Sequence, residues 1–280
     1  MVRGPWSVVS APSPGSLRLP ILMYHNIAQD PCAKGAAYYE TNTSPEVFRQ
    51  HALLLQEAGF KTLTVQDAAR MLQRGGDNQS KHVAITFDDG FRTVFTEAFP
   101  ILQSLGFTAT VFLPTAFIAN QRRCFEGNEC LTWDEVKVMH QQGIAFGSHT
   151  CTHPALYETA WDRIEEELTG SKSALEEALG ERLTTFAYPY AYPKADKQFT
   201  TRFTTLLRGA RYEVAVTTTI GTARLGDDLW SLPRLPANTH DGRRLFAAKL
   251  AGAYDWLALP QAIIKSGKTL FRPTVQTLDT

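Results

Sequence analysis

Two carboxylates and two imidazoles carry the clearest chemistry in this sequence of 280 residues. Asp88 and Asp89 close the run "VAITFDDGF", residues 83–91, and Gly90 follows at once. His149 and His153 stand four apart in "GSHTCTHP". In one helical turn, residues i and i+4 share a face, so imidazoles at this spacing can hold one divalent ion. One aspartate and two histidines make three ligands and leave room for water, as in catalytic metal sites. Taken singly, each motif has an ordinary reading as well: Asp-Asp-Gly is a frequent turn, and His-x-x-x-His is a frequent polar surface pair.

What must bring them together is a set of strands. "LPILMY" (19–24) reads as a buried strand, and Ser44 and Pro45 then open the helix "PEVFRQHALLLQEAG" with an N-cap and a first-turn proline. The alternation continues with "KTLT" and "VQDAARMLQRG", "HVAITF" and "VFTEAFPILQSLG", then "TATVFL" and "TWDEVKVMHQQG", where Thr132 and Glu135 form a capping-box pattern. "IAFGS", a helix around 160–180, "TTFAY", a helix near 195–209 and "YEVAVT" complete it. About seven short, β-branched runs alternating with helices predict an α/β fold with parallel strands buried on both faces, closed or nearly closed into a (β/α) barrel. "RRLFAAKLAGAYDWLAL" has helical periodicity and is expected to close that barrel.

In such barrels chemistry gathers at the C-terminal ends of the strands. Asp88 and Asp89 end the third predicted strand, and His149 and His153 follow "IAFGS", so all four fall on one face. Neighbouring side chains on a regular strand point apart, but Gly90 supplies a turn that lets both carboxylates flank one site.

The bulk composition excludes some partners. Lys and Arg number 28 against 28 Asp and Glu, so no basic field points to nucleic acid or anionic lipid. No stretch reaches the roughly 18 apolar residues of a membrane span, and the start lacks a signal-peptide apolar core. A cytoplasmic location is therefore expected, with export left open. Cys32, Cys124, Cys130 and Cys151 lack paired CxxC spacing and read as ordinary thiols, although Cys124 and Cys130 could close a small loop in an oxidising compartment.

Together "TFDDG" (86–90), "LTWDEV", "SHTCTHP" (148–154), "FAYPYA" (186–191) and "PILMYHNI" resemble the polysaccharide deacetylase fold, also called the NodB-homology domain or carbohydrate esterase family 4. The resemblance implies a distorted (β/α) barrel of about seven parallel strands. It divides the chain into an irregular leader (1–18), a catalytic domain (19–260) and a tail (261–280).

The resemblance also implies a metal-dependent hydrolase that removes N-acetyl groups from hexosamines of a glycan or glycan precursor. Asp88 would be the base, Asp89, His149 and His153 the metal ligands, and the Tyr190 amide the oxyanion donor. One divalent ion is implied; zinc suits the donors, and iron, cobalt or nickel could occupy them. A carbohydrate partner follows, while the oligomeric state is left open.

The chain also departs from the family. Many relatives carry arginine where Ala187 stands and glycine where Ala191 stands, so the usual partner of the base is missing. Arg234 in "LPRLP" is the candidate replacement, a surface salt bridge being the competing reading. The general acid is expected at His25, since "MYHNI" looks like the subgroup that acts on poly-N-acetylglucosamine and has its acid histidine near the N-terminus. His240, in a polar loop expected to cap the last helix, is the other candidate. Phe91, Trp133, Tyr188 and Tyr192 are candidate sugar-binding aromatics, with core packing as the alternative. His51, His82 and His140 read as structural. Two other functions stay open: an O-acetyl esterase or non-sugar amidase on the same fold, and a glycan-binding module with impaired catalysis.

Overall fold

The computed structural model describes residues 17–29, 41–75 and 81–257; Cys32, most of the leader and the tail lie outside them. Seven parallel strands close into a ring: β1 (Ile21–Tyr24), β2 (His82–Phe87), β3 (Thr110–Leu113), β4 (Ala145–Ser148), β5 (Thr185–Ala187), β6 (Val214–Ile220) and β7 (Leu232–Pro236). Closure comes from β1, which pairs with β7 on one side and β2 on the other. Nearly every ring position is buried, which is why these runs read as continuously apolar instead of alternating.

The expected number of strands is met with one exchange of membership. "KTLT" forms a short strand, Lys61–Leu63, that pairs only with the first half of β2, while β3 pairs with the second half of the same edge. Its place in the ring belongs to "LPRLP", which follows "YEVAVT", the last strand that the sequence pattern predicts. Pro233 and Pro236 hid it, since proline lacks the N–H that a central strand donates. Barrel closure is thus the work of β7, not of the C-terminal helix.

The helices are α1 (Pro45–Glu57), α2 (Val65–Arg74), α3 (Phe99–Leu105), α4 (Trp133–Gln141), α5 (Trp161–Leu179), α6 (Lys197–Gly209) and α7 (Arg243–Leu250). Ser44 caps α1 through a 3.2 Å bond from the Val47 N–H, and the Thr132–Glu135 capping box opens α4 as expected. Helix α2 packs against Ile21, Ala84, Phe112, Val214, Val216 and Leu232, residues drawn from five ring strands. Its Val65 N–H bonds Thr110 Oγ1 at the entry of β3, so this helix plugs the barrel at the end away from the strand C-termini. Among the described residues, no helix is long and apolar enough to cross a membrane. Cys124, Cys130 and Cys151 are free thiols.

Candidate metal and catalytic site

At the C-terminal mouth of the ring, successive strand ends deliver the site. Asp88 follows β2, its N–H donating to Tyr24 O at the end of β1 (3.0 Å). Asp89 then takes a left-handed φ of 68° and Gly90 one of 61°, which swings the second carboxylate towards the first. A Cβ on Gly90 would come within 2.6 Å of Leu113 Cδ2, so both backbone and packing demand glycine there. His149 follows β4, and its N–H donates to Leu113 O (3.0 Å).

The two histidines do not share a helical turn. Residues 149–153 form an irregular loop in which Thr150 (φ 70°) and His153 (φ 57°) are left-handed. This reversal, rather than the 3.6-residue period, brings His153 Nε2 to 3.2 Å from His149 Nε2. Asp89 Oδ1 lies 3.6 Å from His149 Nε2 and 3.4 Å from His153 Nε2. Donors held about 2.05 Å from one centre at tetrahedral angles sit about 3.3 Å apart, so the three atoms match a single metal position.

Hydrogen bonding supports the same reading. His149 Nδ1 lies 2.8 Å from Ala187 O, so its proton is held on Nδ1 and the Nε2 lone pair faces the other two candidate donors. Asp89 Oδ1 is buried with no hydrogen-bond partner, an orphan that a cation would satisfy. Burial, then the charges of Asp88 and Glu126, push the Asp89 carboxyl well above its usual range. Burial lowers His149, and burial followed by its neighbour His149 lowers His153 to about 3, leaving both neutral, the form in which an imidazole can bind a metal.

Asp88 is treated differently. Burial pushes its carboxyl up, but Arg234, His149 and His25 together more than offset this, and the carboxyl ends well below the usual range. The guanidinium grips Asp88 with two bonds, Nη1 to Oδ1 at 2.7 Å and Nη2 to Oδ2 at 2.6 Å. It also donates to Thr86 Oγ1 (3.1 Å) and Thr217 O (3.0 Å). Arg234 is fully buried, so the surface-salt-bridge reading does not describe it. His25 Nε2 stands 4.0 Å from Asp88 Oδ2, and burial lowers its pKa to about 4 against the pull of Asp88.

His25, Asp88, Asp89, His149 and His153 line a cleft of about 800 Å³, with Arg234 buried behind Asp88. Phe91, Tyr188 and Tyr190 are on its walls. Trp133 and Tyr192 are not: Trp133 packs against the core at the start of α4, and Tyr192 lies edge-on to Tyr188 at 5.0 Å. His240 is exposed, and α7 has Gly242 at its N-cap without a side-chain bond. His51 and His140 remain structural but have partners, His51 between Tyr24 and Asp241 and His140 beside Glu181.

Sequence reasoning missed Glu126 and Asn128, which a hairpin presents to the cleft. Among the described residues six non-glycines have left-handed φ; Asp89, Thr150, His153 and Tyr190 are four of them, and Glu126 (φ 48°) is a fifth. Each costs about 1–3 kcal/mol. Their gathering at one mouth is a tertiary signal with no counterpart in composition.

The comparisons with known proteins converge on this region. Residues 75–207 match the polysaccharide deacetylase family, a stretch that contains Asp88, Asp89, His149, His153 and Tyr190 but neither His25 nor Arg234. YxkH of Bacillus subtilis, a protein named for the same family, is 28% identical over 218 residues, covering 78% of this chain and 71% of YxkH. The poly-beta-1,6-N-acetyl-D-glucosamine N-deacetylase of Escherichia coli K12 is 25% identical over 139 residues, 46% of this chain but only 20% of that protein. Among solved structures, the Streptococcus pyogenes deacetylase PplD in complex with acetate superposes with a TM-score of 0.73 at 25% identity, covering 84% of this chain and 99% of PplD.

Proposed function

Because this chain carries a polysaccharide deacetylase domain, we propose that it is a metal-dependent hydrolase removing N-acetyl groups from N-acetylated hexosamines of a glycan or glycan precursor, with release of acetate. The observation that carries the reading is the pairing of an Arg234-clamped Asp88 with three ligand atoms, one of them orphaned, 3.2–3.6 Å apart.

Asp89, His149 and His153 would hold the ion. When bound, it would polarise the acyl carbonyl and make water acidic enough to attack near neutral pH. Asp88 takes the proton from the attacking water; Arg234 holds its two oxygens in place and keeps it ionised, which leaves it a weak base that relies on that acidified water. The proton taken by Asp88 passes to His25, 4.0 Å away and neutral until then, and from His25 to the departing amine, which is a poor leaving group unless protonated. The Tyr190 N–H is assigned to the oxyanion.

The cleft favours a sugar over a small ureide. At about 800 Å³ it is larger than one ring requires, and Asn26, Gln29, Thr41, Asn128 and Thr218 supply amide and hydroxyl groups suited to sugar hydroxyls. The partial likeness to an N-deacetylase of poly-N-acetylglucosamine points to the same substrate class. Zinc best suits two imidazoles and a carboxylate, and elemental analysis of protein purified without added metal identifies the ion.

The test is acetate release from N-acetylglucosamine oligomers. Metal-replete protein should release acetate, chelation should reduce this to background, and Zn²⁺ should restore it. Silence in both states towards oligomers, glycolipids and nucleotide sugars would end this reading. Faster turnover of acetylxylan or of ureides would move the chain to the esterase or amidase alternative, and sugar binding without turnover to the binding-module alternative.

A further inference from the structure

We infer that Glu167, on α5, is the positioning residue that sets the geometry of the two metal-ligating histidines; the inference rests on the metal site proposed above. Glu167 is fully buried, 14 residues beyond His153, and touches neither imidazole. Its carboxylate instead grips the backbone between them. Oε2 accepts from the Cys151 N–H at 2.7 Å and the Thr152 N–H at 2.8 Å, while Oε1 accepts from Thr152 Oγ1 at 2.7 Å. Arg163, one helical turn earlier, donates to Oε1 at 2.8 Å and supplies the countercharge.

The need for such a clamp follows from the loop's conformation. The strand ends at Ser148 and left-handed Thr150 and His153 exclude a helix here, so the N–H groups of residues 151 and 152 have no acceptor within the loop and need one from outside it. Its carbonyls are taken from the other side, Thr150 O by the Thr115 N–H (3.1 Å) and Cys151 O by the Ala116 N–H (2.9 Å). The turn after β3 therefore holds the loop's acceptors and Glu167 holds its donors. Two fixed points on consecutive peptides leave the chain one path, which ends with His153 Nε2 at 3.2 Å from His149 Nε2.

Position on the helix is equally pointed. Glu167 stands on the buried stripe of α5, with Ile164, Leu168 and Leu175, where an apolar residue would ordinarily sit. A carboxylate on that stripe is costly unless charge-assisted bonds satisfy it, and here the metal loop supplies three of the four.

The test measures Zn²⁺ affinity of the protein alone by competition with a chromogenic chelator, without substrate. Glu167→Gln keeps the shape and one acceptor oxygen but loses the charge and sets an N–H₂ against Arg163 or Thr152. It should bind Zn²⁺ about 10-fold more weakly, and Glu167→Ala up to about 100-fold more weakly, the range seen when a group orienting metal ligands is removed. Activity of the Gln variant should return as Zn²⁺ is raised to saturation. Leu175→Ala, two turns along the same helix and fully buried, should lower Tm without changing Zn²⁺ affinity. If Glu167→Ala does not fold, Glu167→Gln decides. A folded Glu167→Gln with wild-type affinity, or a Leu175→Ala that loosens Zn²⁺ as much, overturns the assignment. Wild-type protein that holds no divalent ion overturns the metal site with it, whereas tight Zn²⁺ binding without acetate release overturns only the proposed reaction.

Discussion

Tyr24 and His25 are neighbours in the chain, yet each feeds a different buried cluster of histidine, aspartate and a basic residue. His25 joins Asp88 and Arg234 at the mouth of the barrel. Tyr24 turns the other way, its hydroxyl 2.9 Å from His51 Nδ1; His51 Nε2 lies 2.6 Å from Asp241 O, and Asp241 pairs with Lys249 at 2.7 Å. The ion pairs are almost equally short and equally buried. Their surroundings differ. In the flanking cluster His51 stacks on Phe246 at 3.9 Å, both its nitrogens are engaged, and Lys249 also donates to Pro236 O. At the mouth, Asp89 Oδ1 and His153 Nδ1 are buried without partners, and the backbone is left-handed at residue after residue. A buried ion pair is therefore no mark of function by itself. Unsatisfied neighbours and strained backbone beside it are.

The largest effect expected from this contrast is on the histidines. His25→Ala should lower kcat on N-acetylated sugars by about 10²- to 10⁴-fold with metal content unchanged. An activated aryl acetate, whose leaving group needs little protonation, should suffer far less. His51→Ala should leave kcat per folded molecule intact and instead lower stability by about 2 kcal/mol through the buried groups it strands. A dead His51→Ala with wild-type stability would erase the distinction between the clusters.

Next come the basic residues. Arg234→Met leaves Asp88 buried and unpaired, so it should cost about 3–5 kcal/mol of stability and, through a misplaced base, about 10²-fold in kcat. Lys249→Met should cost a similar amount of stability and nothing in turnover. Denaturant unfolding paired with single-turnover acetate release separates the two; equal loss of kcat in both variants would show that the mouth has no special claim on its ion pair.

A smaller effect concerns pH in the metal-free protein. The folded pKa of His25 is about 4, set mainly by burial, against about 6.5 unfolded. The fold thus disfavours the charged imidazole, so stability is complete above pH 6.5 and falls as pH drops from 6.5 to about 4. Tm measured across that window with chelator present should fall less steeply in His25→Ala than in wild type. Smallest of all, exposed His240→Ala should change neither activity nor Tm; loss of activity there would return the acid role to the end of the chain.

Local signals were legible wherever the physics is local. The strand runs, Ser44 and the Thr132–Glu135 box as caps, and the placement of "TFDDG" and "SHTCTHP" after strands all follow from apolar periodicity and turn chemistry, which act over a few residues. Ring membership did not follow, because Lys61–Leu63 and Leu232–Pro236 differ in which edges remain for them once the barrel closes. Arg234 could be nominated for the base from sequence, but its grip on a carboxylate 146 residues away exists only because β7 reaches β1 and completes the ring. The histidines could be nominated as ligands from sequence by their type and their place after a strand, although the helical turn assumed between them does not form. Their convergence was left to tertiary structure, since two left-handed residues are tolerated only where a folded frame, with Glu167 on one side and the Thr115 turn on the other, holds the loop against its own preference.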